Sequence, residues 1–366
     1  MGKFVFFVTM TLKLIETTFR IPRLAVVFGM FLILVLPSFG QDQVKVITEE
    51  FVFDNAPFRE CHASTLVGLK DGSIMAAWFG GEYERHPNVG IWIARKTGTG
   101  WSQPQKVADG QVNDTLSYPT WNPVLFNMTP DSLVLFYKEG PSPQEWWGMY
   151  KVSVDEGKTW SSAQKLPEGI LGPIKNKPIT LRNGAVLAPS SVEDEDGWRA
   201  HVEITEDHGK TWKKVAIDHE GEYDVIQPSI LQHADGRLQV LCRSQQNRII
   251  TAWSEDQGRS WGQLSATEVL NPNSGTDAVT LADGRFLLVY NPEVSGKDWS
   301  DGRNELRLAV STDGVSWNDV MTLEHEPSGE FSYPAIIQTT DGKVHISYTW
   351  KRKKIKYVVL EIVGHE

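Results

Sequence analysis

The stretches that decide the fold are SVDEGKTW at Ser153–Trp160, TEDHGKTW at Thr205–Trp212 and SEDQGRSW at Ser254–Trp261. All three read Ser/Thr-x-Asp-x-Gly-x-Thr/Ser-Trp. STDGVSW at Ser311–Trp317 is one residue short, and ARKTGTGW, ending at Trp101, is a degenerate copy. The closing tryptophans lie 59, 52, 49 and 56 residues apart. In such a turn the Asp carboxylate accepts backbone N–H bonds, Gly takes a positive φ, and Trp packs between neighbouring sheets. These aspartates therefore read as staples rather than catalysts.

A second signal is interleaved with the first. Apolar runs flank Asp-Gly, Asn-Gly or a close variant at Asp71, Asp131, Asn183, Asp235, Asp283 and Asp341, spaced 60, 52, 52, 48 and 58 residues. This is hairpin grammar, with positive φ expected at both turn residues. Two signals sharing one period of roughly fifty residues denote a repeat architecture. Six four-stranded antiparallel sheets set radially form an all-β, six-bladed β-propeller, which leaves only short exposed edges.

Working outward, 40% hydrophobic and 22% charged residues, with 14 Trp, 31 Gly and 19 Pro, fit strands joined by tight turns and exclude wholesale disorder. The net charge of -10 argues against nucleic acid as a partner. Two cysteines cannot build a disulfide scaffold or a four-Cys zinc site. Nine histidines lack metal-ligand spacing, and no dinucleotide or Walker loop is present. No cofactor or metal is expected, and a monomer is.

The run LAVVFGMFLILVL at Leu24–Leu36 follows Arg20 and Arg23 and precedes Pro-Ser-Phe-Gly. That is secretory signal-peptide grammar over residues 1–40, with an uncleaved anchor helix as the alternative. Residues 41–366 then form the propeller, in a secreted or periplasmic protein free of the membrane after cleavage. Losing Lys3, Lys13, Arg20, Arg23 and Glu16 takes the charge from -10 to -13.

The inner strand of each blade lines the channel, so the residues opening it face one mouth. These segments begin at Arg59, Tyr118, Gly172, Asp224, Asn271 and Glu330, and they offer His62, Asn122, Lys177, Gln227 and Tyr333 among others. Such a polar cup suits a hydroxyl-rich anionic ligand.

The Asp boxes, with FRECHASTLVGLKDGSIMAAWFGG from Phe58, resemble the sialidase (neuraminidase) superfamily in its secreted bacterial branch with Asp-box (BNR) repeats. The resemblance spans about Phe51 to Val359. It implies three arginines holding a sugar carboxylate through bidentate forks, matched here by Arg59, Arg243 and Arg303. It also implies a Tyr nucleophile opening the last blade, matched by Tyr333 in EFSYPAIIQ. Two positions depart from the pattern. Gln227 stands where the family's Glu serves the Tyr, and an amide is no base; Glu330, Glu193 and Glu203 are the available substitutes. The loop GGEYERHPNVG lacks the family's acidic Asp and offers Glu84 and, second, His86.

These readings imply a secreted exo-glycosidase that removes a terminal acidic sugar, sialic acid or a relative, from glycans. The alternatives are a hydrolase or lyase for uronic-acid polysaccharide on the same scaffold, or a non-catalytic glycan-binding propeller.

Overall fold

The computed structural model describes residues 43–217 and 222–363, all within the unit Asp42–Glu366. The signal-peptide reading falls on residues 1–40, outside the described residues. The chain builds a six-bladed propeller of antiparallel sheets, as the two interleaved repeats require. Blade 1 comprises Glu60–Gly68, Ile74–Gly81 and Gly90–Thr97, its outer edge shared by Gly100–Trp101 and Gln105–Ala108. Blades 2 to 5 open with the inner strands Thr120–Thr129, Ile179–Thr180, Val225–Gln232 and Asp277–Thr280.

Blade 6 joins Phe331–Gln338, Val344–Trp350 and Lys354–Val363 to the far N-terminal strand Gln43–Phe51. The first and last strands of the ring thus pair, from Gln43 opposite Val363 to Phe51 opposite Lys356, and clasp the circle. The run Lys351–Lys354, readable as a solvated strand edge, instead caps the turn into a strand paired on both sides.

The Asp boxes are built as their chemistry demands. Asp155 accepts from the Thr159 N–H at 2.9 Å, the Thr159 hydroxyl at 2.6 Å and the Ser153 hydroxyl at 2.8 Å. These bonds hold its carboxyl down at about 2, and Thr211 with Thr205 does the same for Asp207. Trp160 packs against the apolar cluster shared by blades 1 and 2, and Trp261 lies in that of blades 3 and 4.

The hairpin turns differ from expectation in one respect. Only the glycines (Gly72, Gly184, Gly236, Gly284 and Gly342) take positive φ. The preceding Asp or Asn stays at negative φ and uses its side chain to accept the N–H two residues on, as Asp71 does from Ser73 at 3.0 Å. One left-handed residue suffices because the side chain closes the rest of the turn.

Candidate active site

Four of the inner strands break their ladder near the mouth. Register shifts fall between His62 and Thr65, opposite Tyr137 in blade 2, between Ile226 and Ser229, and between Ser332 and Ala335. At each bulge a non-glycine residue sits left-handed: Ala63 at φ 56°, Asn122 at 36°, Gln227 at 54° and Tyr333 at 52°. Asn273, just before the blade 5 strand, joins them at 55°. Pro123, Pro228 and Pro334 follow three of these residues, where a missing N–H costs the ladder nothing. Positive φ in a residue as bulky as Tyr is costly, on the order of 1–3 kcal/mol, and such strain gathers at functional sites. The bulges re-aim side chains at the channel mouth.

Around Tyr333 the mouth is cationic. Arg243 donates through Nη1 to the Tyr333 oxygen at 2.6 Å and through Nε to Asn273 at 2.7 Å. Gln227 Nε2 donates to the same phenolic oxygen at 3.3 Å. Arg303 (blade 5) and Arg352 (blade 6) share Glu330, at 3.8 Å from Arg303 Nη1 and 3.3 Å from Arg352 Nε. Neither contact has hydrogen-bond geometry: among the described residues Arg303 Nε, Arg352 Nε and Glu330 Oε2 are buried without a hydrogen-bond partner. Burial, then Arg243, pushes Arg303 down to about 10, which still leaves it charged at neutral pH. Burial also opposes the charge on Arg352, but Glu84 and Glu330 outweigh it and raise that group. Both guanidiniums lie over the exposed ring of Trp299, at 5.1 and 4.9 Å.

His62 is buried with its ring centroid 4.1 Å from that of Tyr333, and its Nδ1 lies 2.9 Å from the Thr349 hydroxyl. Burial, then Arg352, Arg303, Arg243 and Lys175, drive its pKa well below the ordinary value, so the imidazole is neutral. Beneath the tyrosine, Lys175 Nζ reaches Asn176 Oδ1, Thr276 O and Pro334 O at 2.8, 2.9 and 2.6 Å. Burial lowers this lysine to about 7, yet three acceptors match the three N–H bonds of an ammonium. The geometry therefore favours the charged form.

The structure brings together Tyr333, Arg243, Arg303, His62 and Gln227, with Asn122 buried on the blade 2 bulge. Arg59 is not drawn in: its side chain is 66% exposed and pairs with Glu82 at 3.0 Å. Arg352 occupies the cluster instead, a residue the sequence hid within a basic run. Lys177 is held away by a bidentate pair with Asp277 at 2.9 and 3.0 Å, which braces blade 3 against blade 5.

The carboxylates sort as clearly. Glu84 is ion-paired to Arg352 at 2.5 Å, and His86 Nδ1 faces Asn88 at 2.7 Å on the outer loop. Glu203 accepts from the Leu171 and Gly172 N–H groups and from His201, a structural clasp. Glu193 is the exception. Burial raises its carboxyl against the lowering pull of Arg243 and Arg85, with Glu84 adding to the rise. A carboxyl so placed can hold a proton beside the cationic mouth. Only the fold could single it out.

A cavity of about 890 Å³ opens on the opposite face among the hairpin turns at Asp71 and Asp341. It holds none of the Tyr333 cluster, so size is a poor guide here. The strained bulges and unmet polar groups mark the other mouth.

Comparison with known proteins agrees with this architecture. A Dyadobacter fermentans protein of unknown function superposes with a TM-score of 0.71 at 17% identity, over 87% of this chain and 99% of that one. The NanB sialidase of Streptococcus pneumoniae gives 0.68 at 12% identity, over 86% and 70%. An α-L-arabinanase of Penicillium chrysogenum gives 0.61 at 16%, over 86% and 98%. A search of curated protein sequences found no match. The family model described as BNR repeat-like domain matches residues 72–346, three quarters of the chain. The repeats read from the sequence and the propeller they build agree with this match, and the chain belongs to the BNR repeat-like domain family.

Proposed function

We propose that this chain is an exported glycosidase that removes a terminal acidic sugar, sialic acid or a relative. The carrying observation is the phenolic oxygen of Tyr333, held by Arg243 inside a cluster of arginines from blades 4, 5 and 6, Arg243 and Arg303 buried and Arg352 half-buried. The arginines bind the sugar carboxylate, Arg303 and Arg352 turning to it from Glu330. Tyr333 Oη attacks the anomeric carbon and forms a covalent glycosyl-enzyme while the glycosidic C–O bond breaks. Gln227 cannot take the phenolic proton, so it passes to bulk water through the open mouth. Glu193 protonates the leaving oxygen and then, as carboxylate, draws a proton from the water that attacks the anomeric carbon, while the bond to Tyr333 Oη breaks and the phenolate takes a proton back from solvent. It suits this role better than Glu84, whose carboxyl group is engaged by the Arg352 guanidinium.

A second reading has one observation in its favour: among the described residues, no carboxylate hydrogen-bonds Tyr333. A lyase for uronic-acid polysaccharide needs no such partner. There Tyr333 or neutral His62 would take the proton α to a carboxylate neutralised by the arginines. The test is hydrolysis of an aryl α-sialoside by the wild type, Tyr333→Phe and Glu193→Gln. Tyr333→Phe should abolish release of the aryl alcohol. Glu193→Gln should slow cleavage of sugar leaving groups on the order of 10²–10⁴-fold and activated aryl groups far less. Turnover by Tyr333→Phe at the wild-type rate would overturn the proposal. Unsaturated uronate released from acidic polysaccharide, without sialoside cleavage, would establish the lyase instead.

A further inference from the structure

Between blades 2 and 3 runs a groove of about 600 Å³, lined by Trp146, Trp147, Lys165, Lys214, Glu193 and Asp194 among others. Its volume is that of a ligand cleft rather than a packing defect. Trp147 opens the strand Trp147–Ser153, while Trp146 ends the loop before it. Successive side chains at a strand start point to opposite sides, so the sheet cannot bury both indoles, and both remain half exposed. Tyr118 and Trp121 steady them from behind, edge-on at 5.4 and 5.9 Å.

Two features tie the groove to the mouth. Trp146 packs on Trp121, the chain neighbour of Asn122 on the blade 2 bulge. Glu193, on the groove wall, lies within the field of Arg243. Arg243 also stands over the ring of Trp198, 5.4 Å away, and Trp198 is the cross-strand partner of Glu193.

The charge differs from that of the mouth. Lys165 and Lys214 are balanced by Glu168, Glu193 and Asp194, the last already paired with Arg199. With Glu193 protonated at most one lysine is unmatched, and the wall lacks the clustered guanidiniums that the mouth holds out to a carboxylate. The Trp146 ring and the Trp147 ring, over which Lys165 Nζ lies 5.0 Å from the centroid, instead offer broad contact at little entropic cost to the C–H faces of pyranose rings, with that lysine and the other charged side chains at hand for hydroxyls.

We propose that this groove is a binding site for a neutral oligosaccharide, the chain on the leaving-group side of the bond cleaved at Tyr333. That placement rests on the glycosidase reading above, with Glu193 at the junction, but binding of the neutral chain can be measured without it. The probes are the neutral tetrasaccharides of β-glucan, xylan, mannan and galactan, and free N-acetylneuraminic acid. Each is titrated into the wild type by calorimetry and by tryptophan fluorescence.

At least one neutral tetrasaccharide should bind, and Trp146→Ala or Trp147→Ala should weaken it roughly tenfold. Trp147→Phe, which keeps an aromatic face, should restore most of the affinity and guards against a folding defect. Arg303→Met should leave this binding intact while abolishing that of N-acetylneuraminic acid. If no neutral probe binds, or if both alanine variants bind as the wild type does, the groove is no saccharide site. Tryptophan-dependent binding of a neutral probe without any response to N-acetylneuraminic acid would uphold the groove and count against the sialoside reading alone.

Discussion

The two ends of each blade hold left-handed residues for opposite purposes. At the Asp boxes Gly157 sits at φ 80° and Gly258 at 82°, each preceded by a left-handed residue with a side chain (Glu156 at 59°, Gln257 at 62°), and both oxygens of each Asp carboxylate accept hydrogen bonds from within the turn. At the mouth, Tyr333, Gln227, Asn122 and Asn273 take comparable angles with full side chains. There guanidinium nitrogens and a carboxylate oxygen stay buried without hydrogen-bond partners. A turn closed on itself by its own carboxylate serves stability. A strained and under-satisfied cluster makes sense only if a ligand completes it.

That contrast breaks most sharply at Arg303. Arg303→Met removes one guanidinium from the cluster while filling similar space. The expected loss in kcat/KM on an aryl α-sialoside is on the order of 10²–10³-fold, the cost of deleting a buried charged partner. Yet Tm should stay within about 2 °C of the wild type, or rise, because a desolvated cation facing Arg243 is removed and Glu330 keeps Arg352. A collapse in Tm matching the loss of activity would make the cluster structural and erase the distinction.

The opposite pattern is expected at Gly157. An added Cβ would stand 2.3 Å from Met75 Cε, the yielding end of a flexible side chain, so the backbone conformation carries the cost. Gly157→Ala should destabilise the fold by about 1–2 kcal/mol, the penalty for an L-residue held left-handed. Calorimetry should register it as a lower Tm, with kcat/KM unchanged. Intact stability would mean that the Asp-box turn relaxes, and the two ends would differ less than their geometry suggests.

What the sequence made legible follows the same division. Asp boxes and hairpin turns are local, so their chemistry can be read over eight residues, and with them the blade count. Tyr333 and Gln227 were reachable because inner-strand openings converge in any propeller, and Arg243 and Arg303 only through the arginine order that the family resemblance implies. The clasp by Gln43–Phe51 was not, since its partner lies some 310 residues away. Arg352 was masked by the lysines around it, and nothing local separates it from them. Arg59 shows the reverse error: it stands at the right place in the chain, but the exposed pair with Glu82 takes its side chain elsewhere. The raised carboxyl of Glu193 is set by burial working against Arg243 and Arg85, charges on blades it does not belong to. The proline after each of three bulges was a visible mark of the strained positions, since it excludes a continuous ladder there.

The smallest effect compares two buried histidines. At the mouth, His62 is kept neutral by burial and a ring of cations. On the opposite face, His345 bonds Tyr357 Oη at 2.6 Å and the Thr339 hydroxyl at 3.0 Å. Burial pushes it down to about 4, with Asp341 pulling up and Lys343 down. An unfolded histidine titrates near 6.5, so below that pH the unfolded chain takes a proton that the folded chain refuses until about 4. Stability is therefore complete above pH 6.5 and falls as acid is added. His345→Gln should remove this share, trimming the wild-type loss between pH 7.5 and 6.0 by under about 1 kcal/mol in urea titrations. Equal losses in both proteins would place the acid sensitivity elsewhere, with His62 and its cations the first place to look.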